Sequence, residues 1–109
     1  MNTQTLSLSK PLKTHDGELS VLTLREPNAG AFIDYGEPFK VHARKDDDGV
    51  PNGVDIEYNN KVMAKWLLSM IVEKLDEIVL KGLSARDYYQ LRGKATDIVL
   101  LGVGDSNPT

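Results

Sequence analysis

The chain has 109 residues, 40% of them hydrophobic, enough for one domain with one modest core. Its formal net charge of −3 argues against nucleic-acid binding, which normally requires a basic face. It contains no cysteine, so a disulfide framework, a thiolate zinc site and a cysteine nucleophile are all excluded.

Met1 to Lys13 alternates polar and apolar residues and lacks the continuous apolar run of a signal peptide. Within it, Thr5 to Leu12 reads as a strand, with Leu6 and Leu8 alternating with Ser7 and Ser9. Pro11 limits that run or places it on a sheet edge. Thr14-His15-Asp16-Gly17 has the Asp-Gly pair that tight hairpin turns favour. Leu19, Val21, Leu22 and Leu24 form the return strand, so the chain opens with an antiparallel hairpin.

The corner Leu22-Thr23-Leu24-Arg25-Glu26-Pro27-Asn28-Ala29-Gly30 starts as strand and ends as the entrance to a helix. Pro27 cannot donate to a sheet ladder, and Asn28 suits the N-cap of a short helix from Ala29 to Tyr35. Gly36 and Pro38 close that helix. Phe39, Val41 and Ala43 then alternate with Lys40, His42 and Arg44. Val54, Ile56 and Tyr58 alternate with Asp55, Glu57 and Asn59. With the polar loop Lys45 to Gly53 between them, these runs predict a second hairpin.

The last half predicts helices. Asn59 or Asn60 caps one that runs to about Lys74, with Val62, Met63, Trp66, Leu67, Met70 and Ile71 at helical spacing. Leu68 and Val72 widen this stripe, and a helix apolar over most of its circumference is sandwiched or meets another chain. The densest run, Trp66 to Val72, is far short of the ~20 residues needed to span a bilayer, and no membrane association is expected. Asp76 to Lys81 forms a helical turn closed by Gly82. Ser84-Ala85-Arg86-Asp87 has capping-box spacing and starts the final helix, which presents Tyr88, Leu91, Ala95, Ile98 and Val99 on one face. Tyr89 and Leu100 lie off that face as a second, smaller apolar patch. The expected fold class is α+β: two N-terminal antiparallel β-hairpins, separate or joined in one small sheet, then a helical half with two main helices. One domain is expected over 1–101, with Gly102 to Thr109 as a flexible tail.

No motif carries chemistry. Placing Gly49 at the sixth position of a calcium loop puts Arg44 first and Asp55 twelfth, a cation and too short an acid; the Asp46-Asp47-Asp48 run is a solvated hairpin loop. His15 and His42 have no nucleophile and orienting carboxylate at recognisable spacing. Gly82-Leu83-Ser84 lacks the second glycine of a nucleophile elbow. Gly102-Val103-Gly104 closes a helix instead of opening one, and Asn107-Pro108-Thr109 is no glycosylation sequon. No catalytic residue, metal or cofactor is expected.

The Leu24-Arg25-Glu26-Pro27 corner with Gly30, the segment Gly36-Glu37-Pro38-Phe39, and Leu83-Ser84-Ala85-Arg86-Asp87 before the last helix occur here in a defined order. Together they resemble the phage tail assembly chaperones of contractile-tailed bacteriophages, the group that includes those of phage Mu and its prophage relatives. The resemblance spans Leu6 to Leu101. It implies a non-enzymatic protein of the host bacterial cytoplasm that binds the tape measure protein, keeps it soluble until the tail tube polymerises, and is absent from the mature virion. It also implies a longer, frameshifted form of the same protein.

A holdase of this kind must offer apolar surface to its client. The residues that could supply it are Met63, Trp66, Leu67, Met70, Ile71, Tyr89 and Leu100, with homo-oligomers hiding the surface until the client arrives; the other reading of Trp66, Met63 and Met70 is the core of a small domain, and it is the favoured one for Trp66. The alternative is a small structural tail or baseplate component of the virion. A third class, a small enzyme or ligand-binding domain, would need a polar cleft that the sequence does not indicate.

Overall fold

The structure is a computed structural model and describes residues 3–101. The tail expected from Gly102 onward, with its Gly102-Val103-Gly104 and Asn107-Pro108-Thr109 motifs, lies outside them. The element order is β1 (Thr3–Thr14), β2 (Gly17–Arg25), α1 (Ala29–Tyr35), β3 (Phe39–Lys45), β4 (Pro51–Tyr58), α2 (Asn60–Met70), α3 (Glu77–Leu80) and α4 (Ala85–Leu101). This is the expected α+β arrangement, with the hairpins forming two separate two-stranded sheets instead of one.

The β1–β2 hairpin turns at Gly17, whose φ of 135° suits glycine alone. Leu6 pairs with Leu22, and Leu12 with Leu19. Between them β1 carries extra residues, a bulge containing Pro11, so the strand bends there without ending. Leu6, Leu12, Leu22 and Leu24 are buried beneath the helices.

At the corner, the Asn28 side chain accepts from the Gly30 amide at 3.0 Å and caps α1. A Cβ on Gly30 would lie 3.0 Å from that capping oxygen, so the small residue preserves the cap. Gly36, at φ 82°, ends the helix, and its carbonyl accepts from Trp66 Nε1 at 2.9 Å. The corner, the short helix and the buried indole are thereby tied together.

α2 is shorter than its sequence pattern predicts. Its helical geometry ends at Met70, and Ile71 is extended. The next residues attach to β2. Ile71 bridges Leu24, the Val72 amide donates to the Thr23 carbonyl at 2.8 Å, and Glu73 accepts from the Thr23 amide at 2.7 Å and its hydroxyl at 2.8 Å. Open ladder positions on β2 satisfy this backbone better than another helical turn exposed to water.

The core joins β1, β2, α1, α2, α3 and α4 around Trp66, Leu67, Met70, Leu91 and Ile98. The β3–β4 hairpin joins it at its base, where Phe39 is buried and Ile56 and Tyr58 are half-buried; the rest of the arm is largely exposed. The radius of gyration is 15.5 Å, against roughly 13 Å for a compact chain of this length. Among the described residues, no helix is long and apolar enough to cross a membrane.

Candidate functional site

The seven residues expected to meet a partner divide into two groups. Met63, Trp66, Leu67, Met70 and Ile71 are buried in the core. This corrects their assignment as binding surface: the wide apolar arc of α2 is used up by neighbours on several sides, with Phe32 edge-on to Trp66 at 4.6 Å and Ile71 seated on β2. Tyr89 and Leu100 are exposed, at 68% and 52%. They lie eleven residues apart on one side of α4, about 16 Å along the axis, with Gly93 and Asp97 between them. They form no continuous patch.

An apolar surface does exist at the C-terminal end of α4. Pro27, Ala29, Phe32, Ile98 and Val99 line an open groove of about 280 Å³ between α1 and α4, with Glu26 and Asn28 on its wall. Phe32 is 46% exposed although its ring packs on Trp66, and Leu101 is 80% exposed beside Leu100. The groove exists because α1 is only two turns long. Its Ala31 turns into the core while Phe32 and Ile33 stay at the surface. The corner from Leu22 to Gly30 supplies one wall, so the same residues serve as scaffold and as surface. Phe32, Val99 and Leu101 were missed as surface residues in sequence. The readable signal was Phe32-Ile33 on a short helix that already buries Ala31.

At the opposite end of α4 the chemistry is structural. Asp87 is almost fully buried, and its carboxylate accepts from the Ser9 amide and hydroxyl and from the Lys10 amide in the β1 bulge. The Ser9 amide, above all, holds this carboxyl below the usual aspartate range. Burial opposes it, and the Ser9 hydroxyl, the Lys10 amide and Ser84 assist. In turn the Ser84 hydroxyl accepts from the Asp87 amide at 3.1 Å, which is half of the expected capping box; the other half is redirected to the bulge. A carboxylate so committed is a bracket between elements.

A third cluster seats the arm. The Arg92 guanidinium lies 3.9 Å from the Tyr58 ring centroid and 5.3 Å from that of Tyr89, and it donates to Asn60 Oδ1 at 3.2 Å. The Tyr88 hydroxyl donates to the same oxygen at 3.0 Å, and burial pushes the Tyr88 phenol upward. Tyr58 and Thr96 join hydroxyls at 2.9 Å. Tyr89 thus flanks a cation instead of standing alone.

The histidines pair with exposed carboxylates, His15 with Asp76 at 3.1 Å and His42 with Glu57 at 3.0 Å. Asp46 caps its own loop through the Asp48 and Val50 amides. Among the described residues, no three His, Cys, Asp or Glu side chains cluster to hold a metal. Comparison with family models, curated proteins and solved structures returns no match.

Proposed function

We propose that this protein is a non-enzymatic tail assembly chaperone that binds a tape measure protein and keeps it soluble in the host cytoplasm until the tail tube forms. The observation that carries the reading is the apolar groove between α1 and α4, lined by Pro27, Ala29, Phe32, Ile98 and Val99. A groove of this kind accepts the apolar face of an amphipathic helix. The ordered resemblance at Leu24 to Pro27, Gly36 to Phe39 and Leu83 to Asp87 supports the same reading, and names the client class. A frameshifted longer form would present the same groove, since its shared portion would include both walls.

Co-expression with the tape measure protein encoded beside it tests the proposal. The expected result is a soluble complex that co-purifies, where the tape measure protein alone precipitates. An insoluble client with no chaperone bound to it would rule the reading out. The projecting β3–β4 arm favours a second reading, a permanent virion component. Mass spectrometry of purified virions separates the two, because a chaperone is absent from them.

A further inference from the structure

The β3–β4 arm is a two-stranded ribbon with a free edge on each strand. Isolated ribbons of this size are marginal in water, and free edges are templates for further pairing. One face holds the cross-strand pairs Phe39–Tyr58, Val41–Ile56 and Ala43–Val54. Ile56 still packs against the core, but Val41 at 47% and Val54 at 55% exposure leave the rest of this face open. The other face is segregated by sign: Lys40 and Arg44, flanking His42, on β3, and Asp55 and Glu57 on β4.

We infer that the arm joins copies of this chain edge to edge, β3 of one copy against β4 of the next. Charge selects this pairing. β3 against β3 would set Lys40, His42 and Arg44 beside their own counterparts, and β4 against β4 would do the same with Asp55 and Glu57. Like charges across a strand pair are destabilising. β3 against β4 instead repeats the arrangement already present within each arm, where His42 meets Glu57 at 3.0 Å and Arg44 meets Asp55 at 2.9 Å. A second copy brings the required alternation of signs by construction. It also extends the exposed Val41, Ala43 and Val54 part of the other face into a continuous one.

The pairing is head to tail, so it generates a ring or an open array. Size decides between them. A two-stranded arm is about 10 Å wide, whereas the smallest dimension of the whole molecule is 29 Å. Bodies can accompany edge-paired arms only by fanning outward from them, which suits a closed ring with arms at the centre and no free edge remaining. About eight strands, hence about four copies, gives a barrel with an interior that side chains fill. Asp47 and Asp48 at the arm tips gather on one rim and oppose closure, while Lys45 at the same end offsets them.

Light scattering on the purified full chain is expected to give one discrete mass of three or more copies; a monomer or a dimer overturns the inference. The cysteine-free sequence permits a second test. Single variants Lys40→Cys, His42→Cys or Arg44→Cys are co-expressed with Asp55→Cys or Glu57→Cys and oxidised. Disulfide-linked pairs are expected in at least one mixed sample and in no single-variant sample. Cross-linking of a β3 variant with itself, or no cross-link in any mixture, overturns the pairing. Circular dichroism confirms that each variant is folded. Neither readout involves the tape measure protein, so this inference and the client assignment succeed or fail separately.

Discussion

Ser9 and Asp87 are 78 residues apart in sequence, yet the Ser9 amide donates to both carboxylate oxygens of Asp87, at 2.9 and 3.1 Å, and its hydroxyl donates to one of them at 3.1 Å. A bulge that breaks the β1–β2 ladder is completed by a residue in the first turn of α4.

Asp87→Asn keeps the shape but turns an amide donor toward the bulge donors, so a clear drop in melting temperature is expected, larger than for the exposed Asp97→Asn. The pH dependence has a definite sign. The folded carboxyl lies below its unfolded value of about 3.9. Its contribution is therefore fully present above that value and lost as pH falls through the lower folded value. Asp76, held low chiefly by the Val79 amide and then by His15, acts in the same direction. Thermal melts from pH 6 to pH 2.5 should show wild-type stability falling at the acid end, with a shallower fall in Asp87→Asn.

Leu67→Ala removes a fully buried side chain and should cost about 2–5 kcal/mol. Trp66→Phe loses the bond to the Gly36 carbonyl as well as volume, and should cost roughly 1–3 kcal/mol. Urea titration measures both. Any loss of client binding in these variants should track unfolding.

Phe32→Ser alters a half-exposed residue of the groove lining. Loss of the edge-on contact with Trp66 should cost about 1–2 kcal/mol of folding stability, while affinity for the proposed client helix falls about tenfold, or ~1.4 kcal/mol. Isothermal titration with a tape measure fragment gives the affinity, and a urea melt gives the stability.

Glu73→Ala removes the acceptor for the Thr23 amide and hydroxyl. A loss of about 1–3 kcal/mol is expected, with faster hydrogen exchange at Val72 as the segment leaves β2.

Arg92→Ala removes the cation above Tyr58 and a donor to Asn60. The cost is about 1–2 kcal/mol. Exchange should accelerate across 39–58 more than in β1 or β2, because the arm is held only at its base.

Much of this fold was legible in local chemistry. Asn28 and Gly36 bound α1 at the residues their capping chemistry predicts, and Asp-Gly at 16–17 closes the first hairpin. The end of α2 was not legible. Nothing between Ile71 and Lys74 breaks a helix, and the decision comes from open ladder positions on β2, a contact about 50 residues distant in sequence. The second hairpin's loop is shorter than expected, since β4 begins at Pro51. The candidate site was half visible. Leu100 stood out as apolar and off the buried face, whereas the breadth of the α2 stripe suggested surplus surface. Periodicity reports how many sides of a helix are apolar and is silent on how many neighbours will cover them.

The two ribbons differ in how their edges end. In the body, Asp87 takes up the amides of the β1 bulge and Ile71 to Glu73 lie along the end of β2, so each edge of that ribbon is engaged over part of its length. No comparable cover lies along β3 or β4 among the described residues. The body ribbon thus has part of each edge occupied, whereas the arm has both edges open. Solubility and folding stability are consequently separable properties of this chain: changes on the arm edges should alter what accumulates in solution while the melting of the body stays where it was.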